Sequence, residues 1–146
     1  MKGIIPKQKN IIFNRSIEKL HKDCTIWLSE VKFIQLEQFF FRNILKNHII
    51  EFCDAQKFKA AKLYLSSIEH EYLLGNQLRN SINDQKVNLA LLMENIYLKR
   101  EDRFRENHDF LTIDVQNYIE SFKNLKEKLF EIILTIMEEK KKFHKN

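Results

Sequence analysis

Glycine and proline are almost missing from this chain of 146 residues, which holds two glycines, Gly3 and Gly75, and one proline, Pro6. Sheet proteins reverse direction through tight turns that draw on Gly, Pro, Asn and Asp at fixed offsets. Almost no Gly or Pro is on offer here to build them with. The same scarcity removes the glycine-dependent catalytic loops: no G-x-G-x-x-G, G-x-x-x-x-G-K-S/T or G-x-S-x-G occurs. An all-α fold is what remains, and the length suits a single domain over 1–146 with its own hydrophobic core.

Apolar residues at three-four spacing mark the helices. Ile17, Leu20, Cys24, Trp27, Val31, Ile34, Phe41 and Leu45 form one stripe, and Ile26, Phe33, Leu36, Phe40 and Ile44 a second on another face. They predict a helix over about 14–53, with Asn14 or Ser16 as its N-cap. Ala61, Ile68, Gly75, Ile82, Leu89 and Ile96 then stand seven residues apart. A loop at Gly75-Asn76 would scramble that phase, whereas a glycine inside a helix costs only ~1 kcal/mol. One helix over about 55–107 is therefore expected, the alternative being an up-down four-helix bundle broken near Gly75. Asn107-His108-Asp109 is the best loop signal, after which Thr112 caps a third helix over about 112–143. Val115, Phe122, Leu129, Ile136 and Phe143 repeat there at sevens, with Tyr118, Leu125 and Ile132 as the second core position. The expected architecture is an elongated antiparallel three-helix bundle, coiled-coil-like, behind a flexible arm over about 1–13.

A first turn centred at residue 53 or 54 sets residue n of the first helix opposite residue ~107 − n of the second. A second turn near residue 109 lets the third helix reach back only to about residue 75. The stretch over about 55–74 would then lack a second partner, leaving Phe33, Phe39, Phe40, Phe58 and Leu65 under-covered. Exposed apolar area of that size marks an interface. A homodimer, or another helical protein as partner, is expected there, the alternative being that the first helix carries a wide apolar arc because it touches both of the other helices.

The formal charge is +5 and the isoelectric point about 9.1. A basic balance suits nucleic acid or an anionic membrane surface, but the abundant Lys, Ile, Asn and Phe share A/T-rich codons that produce it without any function. Lys99, Arg100, Arg103 and Arg105, joined at one pole by Lys2, Lys7 and Lys9, are the candidates for phosphate contacts. Glu101, Asp102, Glu106 and Asp109 interleave with them, so nucleic acid is not expected as a partner. No apolar run approaches the ~18 residues of a membrane span, and residues before Phe13 lack the apolar core of a secretory signal. Cys24 and Cys53 fall on one helix roughly 44 Å apart, beyond disulfide reach. A reducing cytoplasm is the expected compartment.

Glu18-Lys19-Leu20-His21 is an E-x-x-H, but the second copy that a dinuclear carboxylate site needs is missing. The registry sets Glu37 beside His70, which Glu69 and Glu71 flank. Glu30, Glu37, Glu69 and His70 are thus the metal candidates, against a hydrogen-bonded pair that only fixes helix alignment. Trp27 reads as core, and Tyr64, Tyr72, Tyr97 and Tyr118 as bundle residues. No serine or cysteine has a base at fixed distance. No catalytic residue and no cofactor is expected.

The run His21-x5-Trp27-Leu28-Ser29-Glu30-x2-Phe33-x3-Glu37, with Glu69-His70 and then His108-Asp109, resembles a loose group of small uncharacterised bacterial helical-bundle proteins. The likeness runs over about 17–137, and it implies a three-helix, coiled-coil-like fold with no activity to carry over. Similar sequences tend to carry a further histidine at the position that Val87 holds here. The expected function is that of a non-catalytic interaction or scaffold protein. A carboxylate–histidine metal bundle and weak polyanion binding at the basic pole are the alternatives.

Overall fold

The computed structural model describes residues 15–52 and 55–145, with backbone alone at 49–52, 55, 140 and 142–145. The expected N-terminal arm with Lys2, Lys7 and Lys9, the expected turn at Cys53-Asp54 and the Phe143 side chain lie outside the described residues. What is described is an all-α three-helix bundle: α1 (Ile17–Phe52), α2 (Ala55–Met93) and α3 (Glu101–Lys145), with a 3-10 turn (Leu98–Arg100) before α3.

Ser16, one of the two expected caps, caps α1, its Oγ accepting the Lys19 backbone N–H at 3.1 Å; the other, Asn14, lies outside the described residues. Glu18 in the first turn complements the helix dipole. Helix α2 passes unbroken through Gly75, which excludes the four-helix alternative. Ala61, Ile68, Gly75, Ile82 and Leu89 are all buried, as the sevenfold series requires. The sixth member, Ile96, is 45% exposed. The helix stops at Met93 rather than near residue 107.

The stop has a local cause. Asn95 takes a left-handed conformation (φ 61°), its N–H donates to the Leu92 carbonyl at 2.9 Å, and the Ile96 N–H donates to that of Leu91 at 2.8 Å. These are the two bonds of a Schellman termination, with Asn95 where Gly usually stands. Asn95→Gly should therefore raise stability by about 0.5 kcal/mol, and Asn95→Ala lower it by about 1 kcal/mol; urea denaturation of the two variants checks both signs.

The expected loop at Asn107-His108-Asp109 is helical, and Thr112 is no cap. Its Oγ1 donates to the His108 carbonyl one turn back, at 2.9 Å, as threonines do inside helices. Counted backward, the core series of α3 continues from Val115 to His108 and from Leu111 to Phe104, all buried. The three polar residues look like a loop in sequence, but Asn107 and His108 serve a hydrogen-bonded network in the core.

Moving the second turn shifts the third helix along the second. Ser121 donates to Glu71 at 2.8 Å, and Lys57 pairs with Glu139. The stretch expected to stand uncovered therefore has α3 beside it, Leu65 is partly buried, and that basis for an interface falls. The expected first registry survives: Gln35 donates to the Tyr72 carbonyl at 3.0 Å.

Contacts group the chain into two compact units, Met1–Val31 with Gln77–Gln116, and Lys32–Asn76 with Asn117–Asn146. The first has Leu20, Cys24, Val31, Ile82, Leu89 and Val115 at its core; the second has Phe41, Leu45, Ala61, Ile68, Phe122 and Leu129. In the second unit Phe130 meets Phe41 edge-on, with centroids 5.1 Å apart, a preferred aromatic geometry.

Candidate functional site

Polar side chains at core positions are the distinguishing chemistry of this bundle, and each unit has its own set. In the first unit His108 is 1% exposed. Its Nε2 lies 3.1 Å from Asp23 Oδ2 on α1, and its Nδ1 lies 3.4 Å from Gln85 Nε2 on α2. The Gln85 amide is oriented by its other bonds, donating to the Phe104 carbonyl at 2.8 Å and accepting from Asn107 Nδ2 at 2.8 Å. An amide nitrogen facing Nδ1 makes that atom an acceptor, so the proton sits on Nε2 and is donated to Asp23. Trp27 stacks on the imidazole with centroids 4.7 Å apart.

Burial pushes the His108 pKa below its ordinary 6.5, and Asp23 offsets part of that shift. The ring is accordingly neutral at pH 7. Arg15 donates to the same Asp23 oxygen at 2.8 Å, so that carboxylate is held by two donors. Buried Arg105 donates from Nε to Glu101 at 2.8 Å and from a terminal nitrogen to the Arg15 carbonyl at 2.6 Å. Beside Asp23, burial raises the Cys24 thiol to about 12. It is protonated at neutral pH, and a thiol is a poor nucleophile.

In the second unit Gln38, 0% exposed, donates to Tyr118 Oη at 3.1 Å. Gln35 donates to Asn76 Oδ1 at 2.9 Å as well as to the Tyr72 carbonyl. Burial raises the Tyr118 hydroxyl to about 12. The Tyr118 and Gln35 side chains crowd Gly75, where an added Cβ would lie 2.5 Å from Tyr118 Oη and 2.7 Å from Gln35 Nε2. Gly75 is thus a close-approach glycine, not a hinge.

The residues singled out in the sequence fall elsewhere. Glu37 pairs with Lys126 Nζ at 3.0 Å, while Glu69 and His70 are exposed on α2. Glu30 belongs to the first unit, the other three to the second. Among the described residues no group of three or more His, Cys, Asp or Glu side chains could hold a metal. Glu18 is exposed and His21 half-buried. Lys99, Arg100 and Arg103 are exposed, but the first two lie in the 3-10 turn and Arg103 in the first turn of α3, rather than at the end of α2, and buried Arg105 is not available to a phosphate. Phe33, Phe39, Phe40 and Phe58 are exposed, as an interface on them requires.

A signal for the buried network was present in the sequence: Gln38 stands between Ile34 and Phe41 in the α1 stripe, Gln85 between Ile82 and Leu89. A polar residue at a core position must find a buried partner. No protein-family profile, curated protein or solved structure matches the chain.

Proposed function

We propose that this chain is a non-catalytic helical interaction protein of the cytoplasm that self-associates through α1. The observation that carries this reading is the exposure of Phe33 (64%), Leu36 (60%), Phe39 (54%) and Phe40 (59%) on consecutive turns of that helix. An aromatic ring buries ~150–250 Å² when covered, and more than half of each of these side chains stands in water. Surface apolar residues scattered singly are ordinary; four within eight positions form a patch of the kind that marks a contact. The polar groups of His108 and Asp23 support the same reading, because they are engaged with each other and not turned to a substrate. Among the described residues no helix is long and apolar enough to cross a membrane, so the patch is not part of a span.

Light scattering from about 5 µM to 1 mM, a range that brackets ordinary dimer affinities, tests this. The wild type should rise with concentration from 17.7 kDa toward twice that mass, while Phe33→Ser/Phe40→Ser stays at the monomer mass. Helix content and melting temperature of the variant at low concentration should be close to those of the wild type, because the substituted side chains are largely exposed within one chain. A wild type of constant monomer mass refutes the proposal.

A further inference from the structure

We propose that the groove between α1 and α2 in the second unit is one half of a two-fold contact, in which Arg42 of each copy pairs with Glu69 of the other. This rests on the self-association proposed above and names the pair that sets its register. The groove has a volume of about 290 Å³ and is lined by buried Gln38 and Ile68, by exposed Phe39 and Leu73, and by Arg42 and Glu69. Arg42 Nε is buried without a hydrogen-bond partner, and a buried charged donor left unmade is costly. Glu69 is exposed. Neither side chain has an ion pair among the described residues. A lone anion would satisfy Arg42 but meet Glu69 in the same groove. A second copy meets both, because in an isologous contact residue i touches j and j touches i. One cation and one anion on a single face are self-complementary, and the pairing forms twice. Phe39 and Leu73, 54% and 60% exposed, supply apolar area around it, and Phe39 joins the groove to the Phe33–Phe40 ridge.

Single charge reversals, alone and mixed, test the pairing by sedimentation equilibrium of the full chain. Arg42→Glu and Glu69→Arg should each weaken self-association at least about tenfold, since each places like charges opposite one another twice. An equimolar mixture of the two variants should associate as the wild type does. In the mixed pair one contact joins the two substituted side chains and the other joins the two native ones, and each contact holds one acid and one base. Arg42→Glu/Glu69→Arg in one chain should associate as well, by the same pairing with its charges exchanged. Pairing within a chain cannot produce the mixed species. Circular dichroism checks folding, and the fully surface change Glu69→Arg, with Arg42→Gln, carries the test if Arg42→Glu misfolds. Variants that associate like an associating wild type, or a mixture that stays monomeric, overturn the pairing alone. A wild type that never associates overturns the reading beneath it.

Discussion

His108→Ala lowers the free energy of unfolding by about 3 kcal/mol and the melting temperature by roughly 10 °C. Truncating a side chain that is 1% exposed leaves a cavity beneath the Trp27 ring. It also strips Asp23 of one donor and leaves the Gln85 amide facing a void. Chemical denaturation at pH 7.5 measures the loss, and a variant within about 1 kcal/mol of the wild type would show the network to be idle.

The same residue gives the stability a direction in pH. The native imidazole titrates below the 6.5 of an unconstrained histidine. As pH falls through about 6.5 the unfolded chain takes up a proton that the native chain does not, so native stability declines. The contribution is whole above that pH, and the decline levels off once the native pKa is passed. Between pH 7.5 and 5.5 the midpoint of wild-type denaturation should fall, and in His108→Gln it should fall less. Asp109, whose carboxyl pKa burial raises, acts with the opposite sign.

Gly75→Val should cost about 3 kcal/mol, and Gly75→Ala about 1 kcal/mol. On helix propensity alone alanine should be stabilising by ~1 kcal/mol. The close approach wins, because the first carbon added at this position already overlaps Tyr118 Oη and Gln35 Nε2. Tyr118 is 6% exposed and tied to the buried amide of Gln38, so moving it aside breaks a buried hydrogen bond. Tyr118→Phe removes the hydroxyl, and in that background the cost of Gly75→Ala should shrink. Thermal melts of the four chains form the double-mutant cycle. Additive costs would show that Tyr118 is not what Gly75 accommodates.

Gly75 shows how far a local pattern reaches. The sevenfold spacing through it was sufficient to predict one continuous helix, since apolar periodicity repeats the same message at every turn. It was not sufficient to say why a glycine stands there: Tyr118 lies on another helix, and no spacing within α2 points to it. The α1 ridge was legible as a second stripe, and its exposure follows because each helix of a three-helix bundle turns one side to the shared core and leaves the opposite face without a neighbour. The uncovered flank was misplaced for a different reason. It depended on one turn, and the turn was set at Asn107-His108-Asp109 because three polar residues in a row look solvated.

From the amino-acid order alone came the helix class, the number of helices, the passage through Gly75 and most of the core positions. All of these are governed by backbone propensity and a periodic apolar face, which act within a few residues. Only the tertiary structure decided where α2 ends and what Asn107 and His108 do. A left-handed Asn95 stops a helix only when its own N–H and that of Ile96 close on the Leu92 and Leu91 carbonyls, and a polar residue joins a core only when Asp23 and Gln85 arrive to satisfy it. Polar burial is decided between partners far apart in the chain, and that is the information a local rhythm does not contain.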